Sequence, residues 1–151
     1  MREILFRGKA LKNNEWVYGF YHNETSKESP SSDRKVTRHH IYTQGFDLFV
    51  DPETIGQYTG LTDKNGTKIF EGDIVRILYT DWTSKSENDT RTLDEYLRDI
   101  AKIGVVEWDR YYPQFHIHFM DKDNYNSLNY GRYGFIEVIG NIYDNPEILE
   151  I

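Results

Sequence analysis

The dipeptide Asn65-Gly66 constrains the fold more than any other feature, because it lies between two segments rich in strand-forming residues. Both central positions of a type I′ hairpin turn need a positive φ, which Asn-Gly adopts readily. Residues 68–78 then contain Glu71-Gly72-Asp73, which divides that segment by a turn or bulge. The two signals predict a hairpin followed by a bent strand.

The fold class predicted from these turns is mainly β, a small SH3-like barrel or bent antiparallel sheet. Strands are expected at residues 3–6, 16–21, 36–43, 103–108, 115–119 and 135–143. In 115–119, Phe115, Ile117 and Phe119 alternate with polar residues, which are expected on the solvent face. Structural roles in turns are expected for nine residues: Gly60, Asp63, Asn65, Gly66, Glu71, Gly72, Asp73, Gly140 and Asn141.

One short helix is predicted at about residues 93–101, as an insertion between strands. Thr92 and Glu95 match a capping box. Four apolar residues follow the spacing of one helical face: Leu93, Tyr96, Leu97 and Ile100. Residues 23–35 are polar with a Ser/Pro cluster, which predicts a loop.

The composition narrows the classes of function. The 151 residues include no cysteine, which excludes disulfides and thiolate nucleophiles. Eighteen basic against 25 acidic residues give a net charge of −7, which disfavours general binding to duplex nucleic acid. No apolar run approaches the length of a membrane span, and the N-terminus lacks a signal-peptide core, so a cytoplasmic location is expected. The length predicts a single domain, with an N-terminal β subdomain at 1–53 and a barrel part at 54–151 as the finer division.

Four segments together resemble the YopX-like family. The longest is residues 57–75, QYTGLTDKNGTKIFEGDIV, and the others are Phe6-Arg7-Gly8-Lys9, residues 15–19 and residues 138–143. The resemblance implies a small protein of phages and prophages with a mostly β fold and an SH3-like element. It implies no established biochemical function and no catalytic residues. The segment at about 80–101 looks longer than the usual connection in that family.

Two histidine pairs raise the question of a metal site. His116 and His118 lie two residues apart on one strand, so they share a face and could bind zinc. His39 or His40 could supply a third ligand only where the fold brings them close. The solvent face of a strand explains the first pair without a metal, so neither a metal nor a cofactor is predicted.

A basic cluster precedes and enters the strand at 36–43. It comprises Arg34, Lys35, Arg38, His39, His40 and Tyr42. Basic side chains interleaved with an aromatic ring could bind single-stranded nucleic acid in phage replication or transcription. A charged loop running into a strand is the favoured explanation.

No catalytic motif is present: the sequence lacks a nucleophile elbow, a P-loop and a dinucleotide-binding fingerprint. The leading hypothesis is therefore a non-enzymatic protein-interaction module. Its partner would be a host protein, a phage protein or a second copy of the chain, which makes a homo-oligomer an expectation. Candidate contact residues, which could equally be core, are Tyr58, Trp82, Tyr111, Tyr112, Tyr125 and Tyr130. The carboxylate pairs Glu71 with Asp73 and Glu107 with Asp109 could serve a hydrolase, although a solvated surface is favoured.

Overall fold

A computed structural model describes residues 3–79, 88–92, 95–96, 101–120, 124–128 and 133–150. Within these residues, eleven strands form antiparallel sheets. The chain divides into two compact units, residues 1–60 and residues 61–151. In the part of the chain that the structure describes, no helix has the length and apolar character that crossing a membrane requires.

The first unit is built from five strands. In chain order they are β1 (Phe6–Lys9), β2 (Trp16–Lys27), β3 (Lys35–Thr43), β4 (Phe46–Phe49) and β5 (Gly56–Thr62), with a short 3-10 helix at Pro52–Thr54. β5 runs through the boundary between the units. Across the sheet the order is β4-β3-β2-β1-β5, so β4 is an edge strand.

The β2–β3 hairpin is longer than the sequence predicts. Residues 23–27, expected in a loop, continue β2 and pair with 35–39 of β3, which leaves only residues 28–34 as the connection. A cross-strand pair explains the difference, because the hydroxyl groups of Thr25 and Thr37 are 2.9 Å apart. A polar stretch can hold a strand when each side chain has a partner on the neighbouring strand.

The second unit carries six strands. They are β6 (Lys68–Phe70), β7 (Asp73–Tyr79), β8 (Lys102–Trp108), β9 (Phe115–Phe119), β10 (Asn124–Ser127) and β11 (Tyr133–Asn141), followed by a 3-10 helix at Pro146–Leu149. Five form a sheet in the order β10-β9-β8-β7-β11. As predicted, Phe115, Ile117 and Phe119 point into the core, where they pack with Val75 and Val106.

The hairpin at residue 65 exists, but its turn type was predicted wrongly. The loop comprises Lys64, Asn65 and Gly66, and only Gly66 has a positive φ, at 82°. Asp63 organises it: its Oδ1 accepts from the N–H groups of Asn65 and Thr67, each at 2.8 Å. A three-residue loop with glycine in the left-handed region explains why asparagine does not need a positive φ.

The same carboxylate connects this hairpin to β11, because Asp63 Oδ2 accepts from the Val138 N–H at 3.1 Å. Burial by itself raises the pKa of Asp63, but the amides of Val138, Thr67 and Asn65 outweigh it and hold that pKa below its ordinary value. Asp63 is 7% exposed. The aspartate is therefore a structural element of the second unit.

Four of the other predicted turn residues lie where a strand begins or ends, while Gly60 and Gly140 lie within β5 and β11. Glu71 and Gly72 separate β6 from β7, and Asp73 accepts from the Phe70 N–H at 2.7 Å. Asn141 ends β11, where its Oδ1 accepts from two following amides at 3.0 Å. The two remaining glycines are required for different reasons. A Cβ on Gly140 would lie 2.8 Å from a side-chain oxygen, and Gly60 has a positive φ of 88°.

Two parts of the predicted fold class remain to be compared with the structure, namely the barrel and the inserted helix. The strands that the structure describes form open antiparallel sheets and no closed barrel, so the barrel expectation was wrong while the mainly β class is confirmed. The Thr92 and Glu95 side chains hydrogen-bond each other at 2.8 Å in the capping-box arrangement. Most of the helix expected at 93–101 lies outside the described residues.

Candidate functional site

Backbone pairing in the first unit brings two histidines and an aspartate together. The β2–β3 register places His22 directly opposite His40. β3 and β4 are joined by Gln44-Gly45, with φ values of 47° and 86°, the geometry of a two-residue type I′ turn. That turn sets Asp47 diagonally across from His40 on the same face.

The three side chains, called here the His22–His40–Asp47 cluster, are compact. One potential ligand atom from each lies within 4.8 Å of the others. His22 Nε2–H donates to Asp47 Oδ1 at 2.9 Å, and the two imidazole rings are stacked with their centroids 4.7 Å apart. Among the described residues, no other group of three His, Cys, Asp or Glu side chains meets this distance.

His40 is the unusual member of the cluster. It is 5% exposed, and neither of its ring nitrogens has a hydrogen-bond partner. Its Nδ1 lies 3.3 Å from Asp47 Oδ2, which is an ion-pair distance without hydrogen-bond geometry, and its Nε2 lies 3.9 Å from Glu24 Oε1. Leaving a buried polar group unpaired costs about 1–3 kcal/mol. A ligand that accepts the lone pair of His40 would remove that cost.

Exposed aromatic side chains surround the cluster on the same face. We call Tyr18, Phe20, Tyr42 and Phe49 the aromatic face. Phe20 is paired with Tyr42 and His40 with Phe49, while Tyr18 is two residues from Phe20 on β2. Their exposed fractions range from 46% to 65%. A cleft of about 320 Å³ adjoins this region, and Asp47 and Phe49 contribute to its wall.

The basic cluster does not share one face. Alternation along β3 puts Arg38, His40 and Tyr42 on one side and His39 on the other, where His39 Nδ1 is 2.8 Å from the hydroxyl of Tyr21. Arg34 lies in the connection and ion-pairs with Glu28 at 3.4 Å, and Lys35 is exposed at the start of β3. This placement gives no continuous basic groove for a nucleic-acid strand.

A second histidine cluster lies in the second unit, formed by His116, His118, Glu107 and Asp109. His116, expected on a solvent face, is 7% exposed, so that expectation was wrong for this residue. Its Nε2–H donates to Glu107 Oε2 at 3.3 Å, and its Nδ1 lies 3.6 Å from Asp109 Oδ2. His118 Nδ1 lies 3.7 Å from the other oxygen of Glu107. We call this group the His116 cluster.

Asp109 also orders the turn after β8. Its Oδ1 accepts from the N–H groups of Tyr111 and Tyr112 at 2.7 and 3.1 Å. These bonds are the main reason that the pKa of Asp109 is below its ordinary value, and the neighbouring His116 adds to the effect. The turn leaves Tyr111 and Tyr112 strongly exposed, at 92% and 69%.

Of the remaining predicted contact residues, the structure describes the side chain of Tyr58 alone. Tyr58 is 6% exposed, so it belongs to the core. Trp82 and Tyr130 lie outside the described residues, and so does the side chain of Tyr125.

Sequence reasoning missed His22 and Asp47, because their proximity to His40 depends on strand register. Gln44-Gly45 was the available signal, since a glycine between two strand-like segments can close a hairpin. Glutamine is uncommon at positive φ, which made the turn hard to identify.

Comparison with known proteins places the chain in a family. The family model described as YopX protein matches residues 5–150. The crystal structure of protein EF1440 from Enterococcus faecalis is similar over 99% of each chain, with 22% sequence identity and a TM-score of 0.46. A search of curated proteins gave no match. The match over nearly the whole length, which confirms the resemblance seen in the sequence, shows that this chain belongs to the YopX protein family.

Proposed function

We propose that this protein is a non-enzymatic protein-interaction module whose contact surface is the aromatic face of the first unit. The observation that carries the proposal is the grouping of four aromatic side chains on three paired strands, each exposed over 46–65% of its surface. Large exposed apolar patches on soluble proteins mark contact sites. Aromatic side chains also supply much of the binding energy at protein interfaces.

The partner in this proposal is a second copy of the chain. Residues 1–60 contain eight basic and eight acidic side chains, so two first units meet without net repulsion. Glu24 and Arg38 are directly opposite each other on the face that carries the aromatic side chains. A two-fold axis can place the acidic group of one copy near the basic group of the other, as a self-complementary interface needs.

Sedimentation equilibrium tests the proposal with a double variant. Phe20→Ser with Tyr42→Ser removes the centre of the aromatic face and should weaken the dimer by about 30-fold or more. The matched control is Tyr111→Ser with Tyr112→Ser, which removes two still more exposed aromatic side chains from the second unit and should leave association unchanged. A wild-type protein that stays monomeric at its highest soluble concentration would contradict the proposal, as would equal association of both double variants.

The proposed setting is the cytoplasm of a bacterium that carries the phage or prophage. The association with phages and prophages that the family resemblance implies supports this setting. Fractionation of cells expressing a tagged chain from its own prophage should recover it with cytoplasmic markers, and recovery with the envelope or the medium would oppose it. A host or phage protein on the same face is the alternative partner, and it would bind the Tyr111→Ser, Tyr112→Ser control but not the Phe20→Ser, Tyr42→Ser variant.

A further inference from the structure

We propose that the His22–His40–Asp47 cluster binds a divalent transition-metal ion of the zinc class. This inference goes beyond the interaction module, because it concerns a ligand site that the module does not require. It rests on three donor side chains brought together by two hairpins and on the buried, unpaired ring of His40.

The donor set matches this class of ion. Two imidazole nitrogens and one carboxylate oxygen are ligands that Zn²⁺ takes at about 2.0–2.2 Å, and donors around a tetrahedral ion then lie about 3.3–3.6 Å apart. Asp47 Oδ1 is already 2.9 Å from His22 Nε2, and the other oxygen, Oδ2, is 3.3 Å from His40 Nδ1. Closing the cluster around an ion therefore starts from donor atoms that all lie within 4.8 Å of one another. Three protein ligands leave a fourth position for water.

The burial of His40 is the second, independent observation. A buried imidazole normally donates or accepts a hydrogen bond, since leaving it unpaired is costly. Here neither nitrogen is bonded, and Nδ1 faces the carboxylate of Asp47. A metal ion at Nδ1 would supply the missing partner.

Glu24 is the positioning residue in this arrangement. Its Oε1 lies 3.9 Å from His40 Nε2, on the side of the ring away from Asp47. Histidine ligands commonly donate their second N–H to a carboxylate, which fixes the tautomer and makes the ring a better donor. A modest shift of Glu24, whose side chain is 59% exposed, completes that hydrogen bond.

Metal binding must also change the stacking of the two rings. The imidazole planes are 11° from parallel, whereas a lone pair lies in the plane of its own ring. An ion shared by both histidines therefore tilts the rings toward each other. This tilt gives the proposal a spectroscopic signature besides the binding itself.

Isothermal titration of the metal-free protein with Zn²⁺ alone tests the site. The wild-type chain should bind one equivalent, and His22→Gln or Asp47→Asn should each weaken that binding by about 100-fold or more. Both side chains are about half exposed, at 49% and 45%, so neither substitution disturbs the core. Glu24→Gln should weaken binding by about tenfold, as expected for a residue that orients a ligand.

His39→Gln is the matched control, because His39 is on the same strand but on the opposite face, next to Tyr21. Its zinc binding should equal that of the wild type, and so should that of His116→Gln. Circular dichroism confirms that each variant is folded. Absence of saturable zinc binding to the wild type would overturn the proposal. Unchanged binding in the double variant His22→Gln, Asp47→Asn would overturn it as well, since the ion would then be elsewhere.

Discussion

The two units each carry a buried histidine among carboxylates, yet the two sites use that histidine differently. In the second unit, His116 has Glu107 at one ring nitrogen and Asp109 near the other, at 3.3 and 3.6 Å. In the first, the one nearby aspartate is hydrogen-bonded to His22, and neither nitrogen of His40 has a hydrogen bond. A histidine that is hydrogen-bonded to a carboxylate suits a role in stabilising the fold, whereas a buried histidine with no hydrogen bond at either nitrogen suits a role in binding a ligand.

The two units also differ in net charge. Residues 1–60 are formally neutral, while residues 61–151 contain ten basic and seventeen acidic side chains and carry the whole net charge of −7. The neutral unit also has the aromatic face. Association and ligand binding are therefore expected in the first unit, and the acidic second unit is expected to remain solvated.

The largest effect on stability is expected from Gly19→Ala in the first unit. A Cβ on Gly19 would lie 2.1 Å from the carbonyl oxygen of Tyr42, so β2 and β3 would have to move apart. We expect a loss of about 3 kcal/mol in the free energy of unfolding, measured by urea denaturation. The same separation would part His22 from His40.

Gly45→Ala is the control for that substitution. Gly45 has a φ of 86°, but a Cβ there meets no atom within 4 Å, so the cost is limited to the strained backbone, about 1 kcal/mol. Equal losses in the two variants would show that the close approach of the strands does not matter.

The next largest effect is expected from Asp63→Asn in the second unit. An amide group cannot accept all three backbone hydrogen bonds, because its NH₂ would face a backbone N–H. We expect a loss of about 2 kcal/mol at neutral pH. Since the pKa of Asp63 is lowered in the folded state, its contribution is present above the ordinary value of 3.8 and is lost as the pH falls through the folded-state pKa.

Urea unfolding of both proteins from neutral to acidic pH measures this dependence. The difference between wild type and Asp63→Asn should shrink toward acid. A difference that stays constant with pH would contradict the assignment of the charged carboxylate as the stabilising group.

The smallest effects on the free energy of unfolding are expected from one substitution in each histidine cluster, measured in the presence of a metal chelator. Glu107→Gln removes the charged acceptor beside His116 and should cost about 0.5 kcal/mol, since a contact to a carboxylate that is 44% exposed contributes little. Asp47→Asn should cost less than this, because the first cluster is not a structural support. A larger loss for Asp47→Asn, in the same urea assay, would remove the distinction between the clusters.

Local patterns in the sequence predicted the strands and turns whose positions depend on neighbouring residues in the chain. The alternation of Phe115, Ile117 and Phe119 located β9 to the residue, and the Asn65-Gly66 pair located a hairpin. The turn type was wrong because Asp63 accepts two amides of the loop and favours a longer turn. Open sheets in place of a barrel reflect which strands pair at a distance in the chain, a choice that local propensity does not fix.

The candidate site depended on information that no local pattern holds. His40 was recognised as a candidate, but its partners His22 and Asp47 are selected by the register of two hairpins. Register follows turn geometry, and the decisive Gln44-Gly45 turn has an uncommon residue at positive φ. The burial of His116 was likewise missed, because alternation identifies a face of a strand but not what covers that face.

The difference between the two histidine clusters is tested most directly by NMR of the five histidine side chains, recorded on ¹⁵N-labelled protein with and without one equivalent of Zn²⁺. The ring nitrogens of His22 and His40 should shift on zinc addition, while those of His39, His116 and His118 stay in place. Shifts at His116 and His118 with none at His40 would contradict the account.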